Sequence, residues 1–156
     1  MEAVSAVSLR VAGPSDVPAL FDIRLSVTEN AMTREELAAA GVTPESVAAA
    51  LGADACAWLT DVGGKAAAFA IADRQEGCVF AMFVRPDFEG RGLGRALMAG
   101  AERCLFRDHG TLWLNTGADA DIRAHGFYRR LGWRMAGPAG NGELRYEKTA
   151  GREEAR

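Results

Sequence analysis

The feature that most constrains this chain is a glycine-rich turn between an apolar run and a long amphipathic segment. The run before the turn, GCVFAMFVRP, is bounded by Gly77 and Pro86 and is typical of a central strand buried on both faces. The segment after it carries apolar residues at helical spacing from Gly92 to His109, where Gly110 is suited to end a helix. The sequence therefore predicts a strand, a tight turn and a helix in direct succession.

The turn is suited to bind an anion. Gly90, Gly92 and Gly94 occupy alternate positions, with Arg91 and Arg95 beside them. A helix N-terminus leaves about four backbone N–H groups unpaired and carries about half a positive charge. Because residues without a Cβ let a phosphate approach such N–H groups closely, we expect the turn to hold a phosphate.

The spacing disfavours two common phosphate-binding motifs. A Walker loop requires Gly-Lys-Ser/Thr, whereas Gly94 is followed here by Arg-Ala. A dinucleotide fingerprint requires Gly-x-Gly-x-x-Gly. Counted from Gly90, its last position falls on Arg95, and counted from Gly92 it falls on Leu97. A nucleotide-binding domain of another fold is therefore a poor interpretation.

The rest of the chain predicts strands with helices between them. VSLRVA and TLWLN are typical of strands, and CAWLTDVGGKAAAFAIADR predicts a hairpin that turns between Asp61 and Lys65. Ser15 or Asp16 can cap a first helix in GPSDVPALFDIRLSV, and Thr43 can cap a second in TPESVAAALG. Asp119 or Asp121 can cap the last helix, which ends in FYRR. WRMAG and ELRYEKT predict a closing hairpin. The order β α α β β β α β α β β indicates an α/β or α+β fold with four helices.

Composition is that of an ordinary globular protein. The chain has 156 residues, of which 49% are hydrophobic and 25% charged, and its net charge is −3. This is the size of one domain, which we expect over residues 1–149, followed by a polar tail over residues 150–156. The negative charge disfavours nucleic acid as a partner, and no apolar run approaches the roughly 20 residues of a membrane span.

The cysteines and the N-terminal sequence indicate in which cellular compartment the protein is expected. Cys56, Cys78 and Cys104 are widely spaced and form neither a metal-binding pair nor an obvious disulfide framework, so no metal site is expected. MEAVSAVSLR lacks the charge pattern and apolar core of a signal peptide. A cytoplasmic location is therefore expected.

Two segments resemble motifs of the GCN5-related N-acetyltransferases, the GNAT family. VRPDFEGRGLGRALM is similar to motif A, a strand followed by Gln/Arg-x-x-Gly-x-Gly/Ala at the start of a helix. HGFYRRLGW is similar to a second motif, a helical tyrosine followed by Leu-Gly-aromatic. The resemblance spans roughly residues 7–149. It departs from the family at Glu89, where Gln or Arg is usual, and we expect that carboxylate to point away from a bound phosphate.

The resemblance implies a mixed, mostly antiparallel sheet with a V-shaped splay between two adjacent strands, flanked by about four helices. It also implies acetyl-coenzyme A (acetyl-CoA) as cofactor. The diphosphate would bind the glycine turn, and the pantetheine arm would pair with the strand before it. The residues implied in cofactor binding are Met82, Phe83, Val84, Gly90, Arg91, Gly92, Leu93, Gly94, Arg95 and Asn115.

The resemblance makes Tyr128 the candidate general acid, since a phenol near the thioester can protonate the departing thiolate. The acceptor amine must lose a proton before it attacks, and Glu29 or Glu76 could take it, as could a chain of water molecules. Glu29 is preferred, because the acceptor is expected against residues 27–32, on the far side of the splayed strands from the phosphates. Asp121 could contact the pantetheine arm, and Arg123 a phosphate.

The function implied is N-acetyl transfer from acetyl-CoA to a primary amine of a small molecule or peptide. The amine would attack the thioester directly, through a tetrahedral intermediate. The alternative is a non-catalytic acyl-CoA-binding or regulatory module of the same fold. Neither a membrane nor a nucleic acid is expected as partner, and a homodimer remains open.

Overall fold

The computed structural model describes residues 7–28, 31–52, 56–117, 123–140 and 142–151. The strands are β1 (Val7–Val11), β2 (Cys56–Val62), β3 (Lys65–Asp73), β4 (Cys78–Val84), β5 (Thr111–Gly117), β6 (Arg134–Gly140) and β7 (Glu143–Thr149). They form one seven-stranded sheet in the order β1-β2-β3-β4-β5-β7-β6. Neighbouring strands are antiparallel except β4 and β5, which are parallel. The mixed, mostly antiparallel sheet that the resemblance implied is confirmed.

Helices cover both faces of the sheet. They are α1 (Val17–Ser26), α2 (Arg34–Ala39), α3 (Pro44–Gly52), α4 (Leu93–Leu105) and α5 (Ala124–Arg130). The side chains of β3 show which helices lie on which face of the sheet. Phe69 and Ile71 pack in the core with α1 and α3. The alternate residues Ala68 and Ala70 pack against α4. This period of two places α1 to α3 on one face and α4 on the other.

Helix α2 is one more than the four helices predicted. Thr33 caps it reciprocally: its hydroxyl oxygen accepts from the backbone N–H of Glu36 at 3.1 Å, and the Glu36 carboxylate accepts from the N–H of Thr33 at 2.9 Å. Within the helix only Leu37 is buried. Because six residues with one buried side chain form no apolar stripe, hydrophobic periodicity could not reveal this helix.

The β2–β3 hairpin turns at Gly63 and Gly64, whose φ angles are +59° and +84°. Two consecutive left-handed residues are typical of the tight hairpin turns that match strand twist, and glycine adopts them without strain. The hairpin predicted between Asp61 and Lys65 is therefore confirmed.

Strands β4 and β5 meet only at their beginnings. Cys78 is opposite Trp113, whose backbone N–H donates to the carbonyl of Gly77 at 3.1 Å. From there β5 pairs with β7 along its length, whereas β4 keeps only β3 as a partner. The two strands thus splay apart, and the V-shaped opening predicted from the resemblance is confirmed.

A bulge lies in β4 where the splay begins. Ile71 of β3 is opposite Ala81, but the next residue, Ala72, is opposite Val79, so Phe80 is an extra residue. Its side chain is 56% exposed. The prediction that this run is buried on both faces is wrong beyond Val79, because the splay withdraws β5 from its side.

The cysteines are arranged differently from the expectation. Cys56 at the start of β2 and Cys104 in the last turn of α4 form a disulfide, with a Cα–Cα distance of 6.7 Å. Cys78 is a free, buried thiol, and burial raises its pKa to about 11. The disulfide removes one support for the expected cytoplasmic location, since such bonds are rare there. Among the described residues, none forms a helix that could cross a membrane or a cluster that could hold a metal ion.

Candidate active site

A cleft of about 570 Å³ lies where β4 and β5 diverge. Its walls are β4 from its second residue onward, the glycine turn, the first turn of α4, the middle of β5, one side of α5 and the two residues that follow α1. The sequence elements that carry the two family-like motifs therefore face each other across one opening.

The glycine turn is built to admit a ligand at two positions. Gly90 and Gly92 have φ angles of +78° and +80°, and a Cβ added to either would meet nothing within 4 Å. Both line the cleft, and Gly92 caps α4 by accepting from the N–H of Ala96 at 3.1 Å. The N–H groups of Leu93 and Gly94 precede the first hydrogen bond of the helix, so a ligand in the cleft can accept from them.

Gly94 also has a packing role that its place in the motif does not reveal. A Cβ there would lie 3.3 Å from two ring atoms of Phe127 and 3.8 Å from Cγ2 of Val84. The absence of a side chain lets α4 approach α5 and β4 closely. A Cβ at Gly94 would thus meet protein atoms, whereas a Cβ at Gly90 or Gly92 would enter open space.

The two arginines of the turn are placed differently. Arg95 lines the cleft, whereas Arg91 lies outside it with its guanidinium carbon 5.0 Å from the centre of the Phe88 ring. Arg130 at the end of α5 lines the cleft as well, and sequence reasoning missed it. It follows Arg123 by seven residues, two helical turns, and this spacing was the signal available.

Glu89 is one of the residues that line the cleft, and its Oε1 lies 2.7 Å from Nη1 of Arg123. The expectation that this carboxylate points away from a bound phosphate stays a prediction. Arg123 immediately precedes α5, so this ion pair joins the glycine turn to the opposite wall. The acidic side chain at the departure from the family motif therefore has a basic partner.

Met82, Phe83 and Val84 line the cleft, as does Asn115 of β5, whose side chain is exposed. The β4 residues pair with β3 on one edge, and their other edge faces the splay. The Phe83 ring is covered from the α1 side by the guanidinium of Arg24, 4.4 Å from the ring centre. Burial lowers the pKa of Arg24.

Tyr128 lies on α5 against the inner wall of the cleft and is 8% exposed. Its ring packs against Trp133 and Tyr146, with centroids 6.3 Å and 5.6 Å away. Burial, and secondarily the neighbouring Tyr146, raise the pKa of Tyr128 to about 12. The phenol is therefore protonated at neutral pH and can donate a hydrogen bond.

A buried hydrogen-bonded pair, His125 and Tyr146, lies beside Tyr128. His125 Nδ1 and the hydroxyl of Tyr146 share a hydrogen bond of 2.8 Å, and both residues are buried. Nothing in the sequence near His125 indicates this partner. Since Tyr146 is on β7, the bond ties α5 to the sheet beside Tyr128.

The acceptor side is described only in part. Val27 and Thr28, which follow α1, line the cleft, but Glu29 and Asp121 lie outside the described residues. Glu76, the other candidate base, does not line the cleft; its backbone carbonyl accepts from the Trp113 indole N–H at 3.0 Å.

The Acetyltransferase (GNAT) family model matches residues 24–133, more than half of the chain. This protein belongs to the GNAT acetyltransferase family. No sequence among curated proteins matches it significantly.

Solved structures show the same fold. The PaiA N-acetyltransferase of Thermoplasma acidophilum, in complex with coenzyme A, has a TM-score of 0.76 at 11% identity, covering 93% of this chain and 99% of its own. The ribosomal-protein-S18-alanine N-acetyltransferase of Escherichia coli has a TM-score of 0.70 at 24% identity, covering 94% and 97%. Ard1 of Thermoplasma volcanium has a TM-score of 0.68 at 17% identity, covering 94% and 99%.

Proposed function

We propose that this protein transfers an acetyl group from acetyl-CoA to a primary amine of a small molecule or peptide. The observation that carries the proposal is the continuity of the cleft. It extends from the glycine turn at the start of α4, along the edge of β4 that faces the splay, to Tyr128. These features suit the diphosphate, the pantetheine arm and the thioester of acetyl-CoA, respectively.

The diphosphate would lie against the N-terminus of α4. Gly90 and Gly92 leave open space there, and the N–H groups of Leu93, Gly94 and Arg95 belong to the first turn of the helix. Backbone donors and the helix dipole together favour an anion at this place. The chain's own residues thus fit the charged part of the cofactor.

The pantetheine arm would follow β4. A strand edge without a partner offers N–H and C=O groups to any extended ligand that carries amides, as an added strand would. Met82, Phe83 and Val84 supply those groups, and Asn115 faces them from β5 with an amide of its own. Coenzyme A supplies the acetyl thioester when it is bound.

Transfer requires a C–N bond to form and a C–S bond to break. A neutral amine would attack the thioester carbonyl, and Tyr128 would donate its hydroxyl proton to the departing thiolate. The phenolate would then regain a proton from the acylated nitrogen, which leaves a neutral amide and a free thiol. With its pKa raised to about 12, Tyr128 is protonated at neutral pH and can donate a hydrogen bond to the negative charge that develops on sulfur, although the raised pKa itself makes the phenol a weaker acid. The buried rings around the tyrosine hold it in position.

The base that deprotonates the amine belongs to the acceptor side, and we assign this role to Glu29. It directly follows Val27 and Thr28, which line the cleft. Glu29→Gln preserves the shape of the side chain and removes its charge. We expect slower acetylation and an altered pH profile, and an unchanged rate and profile would exclude Glu29 as base or amine anchor.

The proposal is tested by titrating coenzyme A into the protein and then assaying thiol release from acetyl-CoA with a panel of amines. The panel includes peptides with N-terminal alanine, the acceptor type in the name of the Escherichia coli structure. Binding together with amine-dependent thiol release supports the proposal. Binding without release for any amine favours the non-catalytic module, and no binding contradicts both.

A further inference from the structure

The residue most at odds with an anion-binding turn is Glu89. Among the described residues that line the cleft, it is the only acidic one, and it directly precedes Gly90. A carboxylate at the mouth of the turn repels a diphosphate. The chain nevertheless places this residue in the lining of the cleft.

Arg123 resolves this conflict in the structure. Its Nη1 is 2.7 Å from Oε1 of Glu89, while the side chains remain 62% and 42% exposed, respectively. An ion pair this exposed contributes little to folding stability, so a contribution to stability does not account for its presence. Its position, between the glycine turn and the start of α5, instead gives it a direct effect on the charge of the cleft.

We propose that Arg123 neutralises Glu89 and thereby allows the glycine turn to bind a diphosphate. This inference rests on the proposed binding of acetyl-CoA. With Arg123 in place, Glu89 is paired and Arg95 and Arg130 leave the cleft with a positive excess. Without Arg123, an unpaired carboxylate adjoins the phosphate-binding N–H groups.

The role assigned to Arg123 differs from a direct phosphate contact. A guanidinium has five N–H donors and can serve a carboxylate and a phosphate together, so position alone does not separate the two roles. They differ in what happens when Glu89 is also removed. A neutralising residue becomes dispensable, whereas a direct phosphate ligand does not.

A double-mutant cycle measures this difference. Coenzyme A is titrated calorimetrically into the wild-type chain, Arg123→Gln, Glu89→Gln and the double variant. We expect Arg123→Gln to weaken binding about tenfold, Glu89→Gln to leave it unchanged or tighter, and the double variant to lie within about threefold of wild type. Arg129→Gln is the matched control, because it removes an exposed arginine of α5 that does not line the cleft.

The ligand is then varied to identify the group concerned. Dephospho-coenzyme A lacks the 3′-phosphate but keeps the diphosphate, so Arg123→Gln should weaken its binding by the same factor. A loss confined to coenzyme A would place the effect at the 3′-phosphate and overturn the assignment. Thermal unfolding of each variant confirms that it is folded.

The outcomes separate the two proposals. Equal losses for Arg123→Gln in the presence and absence of Glu89, or no loss at all, would overturn the neutralising role while leaving the proposed function intact. Failure of the wild-type chain to bind coenzyme A would overturn the proposed function and this inference with it.

Discussion

The two edges of β4 have opposite surroundings. One edge pairs with β3 along the strand, whereas the other leaves β5 after Cys78 and lines the cleft. Similar residue types occur in the closed part of the sheet and in the cleft: Phe69 and Phe80, Gly64 and Gly92, Tyr146 and Tyr128. The same residue type therefore stabilises the fold in one region and is available for ligand binding or chemistry in the other.

The phenylalanines give the largest expected contrast. Phe69 is 4% exposed and packs in the core, so Phe69→Ala should lower the free energy of unfolding by about 3–5 kcal/mol. Phe80 is largely exposed on the bulge and lines the cleft, so Phe80→Ala should change stability by only about 0.5 kcal/mol while raising KM for acetyl-CoA. Urea unfolding and steady-state kinetics measure the two effects. If Phe69→Ala and Phe80→Ala lowered the free energy of unfolding equally, the proposed difference between the two edges of β4 would be wrong.

The glycines separate backbone strain from ligand contact. Gly64 and Gly92 have φ angles of +84° and +80°, and a Cβ at either position meets nothing within 4 Å. Valine should therefore impose similar strain at both sites. Gly92→Val should weaken coenzyme A binding by about 10²-fold or more, since its side chain would occupy space for the phosphates. If Gly64→Val weakens binding as much, strain alone explains the loss.

The tyrosines separate catalysis from support. Tyr128→Phe should lower kcat about 10²-fold with little change in coenzyme A affinity, because only the acid is lost. Tyr146→Phe removes the hydroxyl bonded to His125 and should cost about 1 kcal/mol of stability with a smaller effect on kcat. A kcat for Tyr128→Phe within about twofold of wild type would assign protonation of sulfur to another group.

The pH dependence of stability gives a smaller effect. The pKa of Tyr128 is raised to about 12, above its value of 10.0 in an exposed chain. Between those values the unfolded chain loses this proton and the folded chain keeps it, so stability should fall as pH rises from about 10 to 12, on the order of 2 kcal/mol. Tyr128→Phe should flatten this fall in denaturant titrations. An equal fall in both proteins would show that other groups, such as Cys78, cause it.

Local signals predicted most of the fold. The glycine pair at residues 63–64 indicated its hairpin, and apolar spacing indicated α4. Helix α2 was not predicted, because it buries only Leu37. Helix α4 ends at Leu105, earlier than the predicted end at His109.

The site was less predictable because it depends on contacts between distant elements. Nothing near Glu89 in the sequence indicates Arg123, and nothing near Tyr146 indicates His125. The exposure of β4 likewise follows from its divergence from β5, since the run itself is apolar enough for a buried strand. The disulfide of Cys56 and Cys104 joins residues 48 apart and has no local signal either.

Amide hydrogen exchange with and without coenzyme A tests most directly that the cleft between β4 and β5 holds the cofactor. We expect coenzyme A to slow exchange in two separate segments, the first turn of α4 at residues 93–95 and the β4 residues 80–84. The β2–β3 turn at residues 63–64 should not change. Protection of both cleft segments would support the account, and saturating coenzyme A that protects neither would contradict it.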